Sequence, residues 1–296
     1  MSIKEHPPLH VPVLLNDVLA QLQPQSGENY LDLTAGYGGH ARAILERTAN
    51  YADSCLVDRD EYAHGHLGDI ASKGATLMRD DFVSAAKQLV RNGQQFSLIL
   101  LDLGVSSPQL DNAERGFSFT KSGPLDMRMD RRNDMTARDL VNTLRRDDIV
   151  KLLMEYGEEP KRVAQRYATA IVNARPLNTT EELAEAIKHA HVGKWQKTHP
   201  ATRTFQAFRI AINDEIRQVS EVMPLVPKLL KKGGRVAIIS FHSLEDRVVK
   251  RYLQEQERAG YEAQLHLLTK KAIAGDTNDV HNPRSRSAKL RVAVKP

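Results

Sequence analysis

Between Asn29 and Val105 four short apolar runs alternate with three longer amphipathic ones, and this alternation limits the fold more than any other feature of the chain. The runs are Tyr30 to Leu33, Ser54 to Val57, Ala75 to Met78 and Ser97 to Leu103; residues near 39 to 49, 60 to 72 and 83 to 92 have helical length and mixed polarity. Strands alternating with helices at this spacing form βαβ units, which need a parallel sheet covered on both faces. After Ser107 the alternation stops. Residues 108 to 135 are rich in Gly, Pro, Asp and Arg, and helix-like stretches follow near 136 to 155, 160 to 174 and 180 to 191. Around Lys231 the sheet pattern resumes: Gly233-Gly234 reads as a helix end, Arg235 to Phe241 as a strand, and Leu244 to Arg258 as an amphipathic helix. Two β-like runs, Ala263 to Thr269 and Ala288 to Val294, close the chain. Its 296 residues, near twice the common domain size of about 150, thus read as one α/β domain made from residues 1–107 and 214–296. An all-helical insertion, 108–213, interrupts it.

Composition excludes several classes. No apolar run approaches the roughly 18 to 20 residues of a spanning helix, so no membrane span is expected. The first fifteen residues carry acid and proline without a long apolar stretch, so no secretory leader is expected either. Cys55 is the only cysteine, which rules out an internal disulfide and suits a reducing cytoplasm. The histidines and acids show no metal spacing such as H-E-x-x-H, so no catalytic metal is expected. The net charge of +5 is uneven: residues 108–209 hold 18 Lys/Arg against 14 Asp/Glu, and the last sixteen residues add Arg284, Arg286, Lys289, Arg291 and Lys295 without an acid. Basic regions on an otherwise acidic body suggest a polyanionic partner.

Tyr30-Leu-Asp32-Leu-Thr-Ala-Gly36-Tyr-Gly38-Gly39-His40 joins the first strand to the first helix. Such a loop needs glycine where the backbone turns sharply and approaches a ligand. Asp58 ends the second strand, twenty residues beyond Gly38, where a carboxylate meets ribose hydroxyls. Together they indicate a nucleoside-containing cofactor, and two remain open. Gly36, Gly38 and Ala41 fit the dinucleotide pattern G-x-G-x-x-A. Asp32 beside the loop is awkward for a pyrophosphate and suits the sulfonium and ammonium of S-adenosylmethionine. Asp102 closes the fourth strand in Leu100-Leu-Asp102-Leu-Gly-Val-Ser-Ser-Pro-Gln109, on the edge where ligands of open α/β sheets bind. Methyl transfer from a sulfonium is an in-line displacement governed by positioning. For an exocyclic amine, a carboxylate such as Asp102 or local carbonyls would bind the N–H protons and favour a pyramidal nitrogen.

In series, these segments resemble the bacterial cytosine-N4 methyltransferases of small-subunit ribosomal RNA, the RsmH/MraW family. They are His10-Val-Pro-Val-Leu-Leu15, Gly36-Tyr-Gly-Gly-His40, Asp58-Arg-Asp60, Leu100 to Asp111, Arg115-Gly-Phe-Ser-Phe119, Gly123 to Asp130, Tyr156-Gly-Glu-Glu159, His199 to Gln206, Ile239 to Arg247 and Asn282 to Ser287. The resemblance implies a Rossmann-like methyltransferase sheet with an inserted helical substrate-recognition domain, S-adenosylmethionine as donor, and N4 of a cytidine in the decoding region as acceptor. It places cofactor contacts at Gly38, Gly39, His40, Asp58, Phe82, Asp102 and Gln109. It implies a cytoplasmic enzyme acting on ribosomal RNA or the assembled small subunit, and leaves open monomer or homodimer. Three departures stand out: Tyr37 where many members carry Arg, the run Leu33-Thr34-Ala35, and a short stretch between Arg258 and His281. The first two bear on cofactor affinity and the third on an RNA contact.

Two segments carry double readings. Ser243 with Asp246 reads as a capping box, while His242 beside it is a candidate for the substrate pocket, with a catalytic role next to Asp102. Arg115, Arg128, Arg131 and Arg132 either pair with Asp126 and Asp130 or meet RNA phosphates. A cytidine stacked in a helix hides its N4, so the base would be unpaired or extruded into a cleft between domains. The rival functions are an NAD-linked oxidoreductase, a non-catalytic RNA-binding module, and a methyltransferase acting on protein or DNA.

Overall fold

The central strands form where the apolar runs are unbroken, and these runs are largely buried in the core. The computed structural model describes residues 12–193 and 199–296; His10 and Val11 of the N-terminal motif, and residues 194–198 of the insertion, lie outside the described residues. The chain divides into two compact units, Met1–Gly104 with Ile216–Pro296, and Val105–Glu215.

In the first unit β1 (Tyr30–Asp32), β2 (Cys55–Val57), β3 (Thr76–Met78), β4 (Phe96–Asp102) and β5 (Leu230–Ser240) are mutually parallel. After them come the short β6 (His266–Leu267) and β7 (Ile273–Ala274), then β8 (Lys289–Val294). The sheet order is β3-β2-β1-β4-β5-β8-β6, with β7 also on β8, and β8 runs antiparallel to β5, β6 and β7. Because side chains alternate across a strand, Leu31, Ile99, Leu101, Val236 and Ile238 bury on one face. Tyr30, Leu98, Leu100, Ala237 and Ile239 bury on the other. Helices Phe82–Arg91 and Ser243–Arg258 cover the first face through Val83, Ala86, Leu89, Val249 and Leu253. Helices Leu15–Leu22 and Gly39–Thr48 cover the second through Val18, Leu22, Ala41, Ile44 and Leu45. This is the α/β sheet, covered on both sides, that the alternation requires. No helix among the described residues is long and apolar enough to cross a membrane.

The second unit packs helices Ala137–Thr143, Arg146–Glu155, Lys161–Asn173, Thr180–Ala190 and Thr202–Asn213 around its own core, including Val141, Ile149, Leu153, Tyr167, Ile171, Ile187 and Phe208. Capping boxes start two of them: Thr136 with Asp139, and Thr179 with Glu182. The expected helix 136 to 155 is two, parted by extended backbone at Leu144 and Arg145. Thr202–Asn213 and the helix Glu215–Val222, which belongs to the first unit from Ile216 on, are additions to the sequence reading.

Several expectations are corrected. Gly233-Gly234 does not end a helix: that helix stops at Leu229, and both glycines lie inside β5. There the register slips between Phe96↔Leu230 and Leu98↔Arg235. Gly233 sits at φ 74°, and a Cβ on Gly234 would stand 2.9 Å from the Lys231 carbonyl, so the pair accommodates a bulge. Residues 60 to 72 form two short helices, Glu61–His64 and Gly68–Ala71, parted at Gly65. Of the run Ala263 to Thr269 only His266–Leu267 pairs as strand. The basic C-terminal segment is not a free tail: Arg291 in β8 is buried and donates to Asp246 at 2.7 Å, Lys289 approaches the same carboxylate at 3.2 Å, and Lys295 Nζ donates to the carbonyls of Pro227 and Leu230. These pairings hold the Asp246 carboxyl below its ordinary value against the upward push of burial. Removing one member of a buried pair strands the other charge. Asp246→Ala is therefore expected to cost about 2–3 kcal/mol, read as a lowered denaturation midpoint.

The arginine-rich segment 115–132 resolves mainly into pairs. Arg128 forms a fork on Asp126 at 2.8 and 2.9 Å, Arg132 binds Asp130 at 2.7 Å, and the buried Arg115 donates to the carbonyls of Arg128 and Met129. Arg128 and Arg132 thus form the expected pairs with Asp126 and Asp130, whereas Arg115 serves backbone carbonyls instead.

Candidate active site

The carboxyl ends of β1, β2 and β4 lie side by side in the sheet, which places Asp32, Asp58 and Asp102 on one edge. Asp32 is buried and accepts from the Tyr30 hydroxyl at 2.7 Å and the Thr34 amide at 3.1 Å. Asp58 follows β2 and ties the glycine loop down: its carboxylate accepts from the Gly36 amide at 2.7 Å and the Asp60 amide at 2.8 Å. Asp102 is held through its own amide, which donates to Thr34 Oγ1 at 2.6 Å. Its Oδ1 is buried and takes no hydrogen bond among the described residues. A buried acceptor left open at a strand end is a group awaiting a ligand's donor.

Burial, chiefly, raises all three carboxyls. Asp32 is lifted to about 7, against the opposing hydrogen bonds from Tyr30 and Thr34. Asp102 rises well above the ordinary range through burial and then the charges of Asp32 and Glu245. Asp58 rises less freely because the Asp60 and Gly36 amides favour its ionised form. An unfolded Asp titrates near 4, so between about pH 4 and 7 the folded state holds the Asp32 proton that the unfolded chain has lost. Excess protons in the folded state make stability fall as pH rises through that window. Asp32→Asn is expected to flatten the fall, measured as denaturant midpoints from about pH 5 to 8; an unchanged slope would remove Asp32 from the pH dependence.

The helix Gly39–Thr48 starts without any side-chain cap and with no acid in its first turn, following Gly38 at φ 79°. Its first amides remain available to an anionic group. Arg42 braces the loop by donating to the carbonyls of Tyr37 and His66, both at 2.6 Å, and to Asp69. His40 is buried, and its Nε2 lies 3.0 Å from the Val13 carbonyl. Since a carbonyl only accepts, Nε2 carries the hydrogen. Burial lowers the ring to about 4, so it is neutral and turns a bare Nδ1 toward Asp102 Oδ2, 3.6 Å away.

Phe82 opens its helix behind the cap Asp81, which accepts from Val83 and Ser84, and packs partly buried against the sheet core. The Asp58 amide donates to the Met78 carbonyl, which keeps the ends of β2 and β3 adjacent. Gln109 belongs to the other unit, where it is buried and its Oε1 accepts from the Ser106 amide in a capping box. His242 follows β5 and is itself the N-cap of Ser243–Arg258, with Glu245 as its reciprocal partner. The expected box of Ser243 and Asp246 is thus displaced by one residue. Asp246 instead pairs with Arg291.

Sequence gave Glu245 no role of its own, and Thr34 and Val13 entered only within the run Leu33-Thr34-Ala35 and the N-terminal motif. Glu245 is buried, accepts from the Phe241 amide at 2.8 Å and lies 3.2 Å from His242 Nε2. The signal for it was the spacing His-x-x-Glu at a helix start.

Residues 8–296 match the model of the MraW methylase family. The chain is 43% identical to the ribosomal RNA small subunit methyltransferase H of Nitratidesulfovibrio vulgaris, covering 97% of this chain and 86% of that one. Against the protein of the same name from Synechocystis it is again 43% identical, covering 97% and 93%. A crystal structure of an rRNA methylase from Streptococcus thermophilus is similar at a TM-score of 0.42 and 11% identity over 99% of both chains. A match across nearly the whole length, together with the glycine loop and the three aspartates on one sheet edge, means that the chain belongs to the MraW methylase family.

Proposed function

We propose that this protein transfers a methyl group from S-adenosylmethionine to the exocyclic N4 of a cytidine in the decoding region of small-subunit ribosomal RNA, in the cytoplasm. The observation that carries the reading is Asp102: an anchored carboxyl on the ligand edge of the sheet, with one buried oxygen unfilled. When bound, the donor supplies an electrophilic methyl group on a sulfonium. The residues present fit such a zwitterion. The uncapped helix start at Gly39 suits a carboxylate, Asp32 and Asp102 favour positive charge, and Asp58 has lone pairs left for ribose hydroxyls. Phe82 is assigned to the adenine, Gly38, Gly39 and His40 to the loop around the ligand, and Gln109 to the cofactor by correspondence with the family.

Asp102 is assigned the acceptor amine. Its carboxylate takes an N–H of the amine, drawing the nitrogen lone pair out of conjugation, and its raised pKa lets it hold the proton that leaves after transfer. The dinucleotide alternative fits less well, because after five parallel strands the sheet continues with the antiparallel β8, so the second parallel half of a dinucleotide fold is not built. Calorimetry with S-adenosylmethionine and with NAD tests the cofactor; NAD binding alone would overturn the assignment. Incubation with labelled donor and unmethylated small-subunit RNA, naked or assembled, then tests the acceptor.

His242 is assigned to the rim of the substrate pocket in addition to its cap. Asparagine is an equally good N-cap, so His242→Asn is expected to melt like the wild type while lowering kcat/KM for RNA about tenfold, near 1.4 kcal/mol. Unchanged kinetics would leave the ring with the cap alone.

A further inference from the structure

The helix Lys161–Asn173 carries Lys161, Arg162 and Arg166 and no acid. Arg162, Arg166, Thr169 and Asn173 follow one another at helical spacing, which sets them along one face. Beside this face lies an open groove of about 520 Å³, lined by Arg146, Gln165, Arg166, Thr169 and Asn173, with Ala170 and Ala190 completing its wall. Arg146 reaches over from the neighbouring helix, its Nε donating to Thr169 Oγ1 at 2.9 Å and its Nη1 to Asp147 at 3.1 Å. Among the described residues no carboxylate forms an ion pair with Arg162 or Arg166. The lining contains no acid.

We propose that this groove docks the sugar–phosphate backbone of the RNA substrate, Arg146 and Arg166 meeting phosphates and Gln165, Thr169 and Asn173 meeting phosphate or ribose oxygens. The proposal rests on RNA being the substrate and adds where the insertion holds it. Two features of the lining favour backbone over bases or protein. It has no aromatic ring on which a base would stack. It offers two alanines in place of the large apolar pockets that anchor a protein partner. Two cations among short neutral donors and acceptors suit a repeating anion, a contact that sets register without reading sequence. The acids nearby are already engaged: Asp147 takes Arg146, and Asp148 takes Arg145 and Lys151.

The test is binding of full-length protein to a fluorescent transcript of small-subunit ribosomal RNA, measured by anisotropy across a salt series, with donor affinity measured in parallel. The double variant Arg146→Ala/Arg166→Ala is expected to weaken binding about tenfold and to reduce the slope of log K against log salt by about 1.4–1.8, at 0.7 to 0.9 per phosphate. Donor affinity is expected to hold. Arg166→Glu is expected to weaken binding further and Arg166→Lys to restore most of it, with circular dichroism melting confirming the fold of each. Unchanged affinity and slope would overturn the proposal. So would a loss confined to assembled subunits with transcript binding intact, which would mark a protein contact. Because the readout is binding, a wild type that binds RNA through the groove but makes no N4-methylcytidine would fail the functional reading and leave the groove standing.

Discussion

Replacing Asp102 by alanine is expected to lower the rate of methyl transfer by two to four orders of magnitude, while donor binding changes by less than tenfold and the melting curve stays cooperative. The size follows from what one positioned proton acceptor contributes, about 10²–10⁴ in rate, or about 3–5 kcal/mol of barrier. The fold should survive because the anchoring bond to Thr34 comes from the backbone amide of residue 102, which alanine retains. Loss of the carboxyl also removes a group whose ionised form is disfavoured by desolvation and by the charges of Asp32 and Glu245. Asp102→Asn separates two parts of the role. It still accepts an N–H but cannot take a proton, so a rate near the alanine variant assigns proton acceptance, and a rate near wild type assigns orientation. Turnover of Asp102→Ala within tenfold of wild type would contradict the assignment.

Gly38→Val is expected to weaken donor binding at least a hundredfold, about 2.7 kcal/mol, and is checked by titration calorimetry. Gly38 adopts φ 79°, and a Cβ there would stand 2.8 Å from both Arg42 Nη1 and Leu67 Cδ2. A left-handed conformation costs an L-residue roughly 1–2 kcal/mol. The clash adds to this, because Arg42 has no slack: its guanidinium already serves Tyr37, His66 and Asp69. Pushing it aside releases the loop and with it the helix start at Gly39. Wild-type affinity in this variant would mean the ligand does not use the loop.

How much of this was legible in the sequence depends on the range over which each feature is determined. The run Ser97 to Leu103 announces a central strand because it is apolar on both faces, and Asp102 at its end is then placed by topology alone. Asp58 is placed by the same logic. The Gly233-Gly234 pair misleads because glycines suit a helix end and a strand bulge equally, and only the register of β4 against β5 decides between them. His242 is missed as a cap because Ser243, a commoner capping residue, stands beside it. Arg291 reads as a surface cation until Asp246, 45 positions away, is brought beside it. The neutrality of His40 is equally invisible in one dimension, since it follows from burial and from a carbonyl 27 residues earlier. The helix Thr202–Asn213 was within reach: Phe205, Phe208 and Ile212 recur on one face, the apolar spacing of a helix.

The central claim is the identity of the product, and the most direct measurement is mass spectrometry of the decoding-region cytidine in small-subunit RNA from cells with and without this protein. The account predicts N4-methylation present with the protein, absent without it, and restored by the wild type but not by Asp102→Ala. N4-methylation unchanged by its removal would contradict the account.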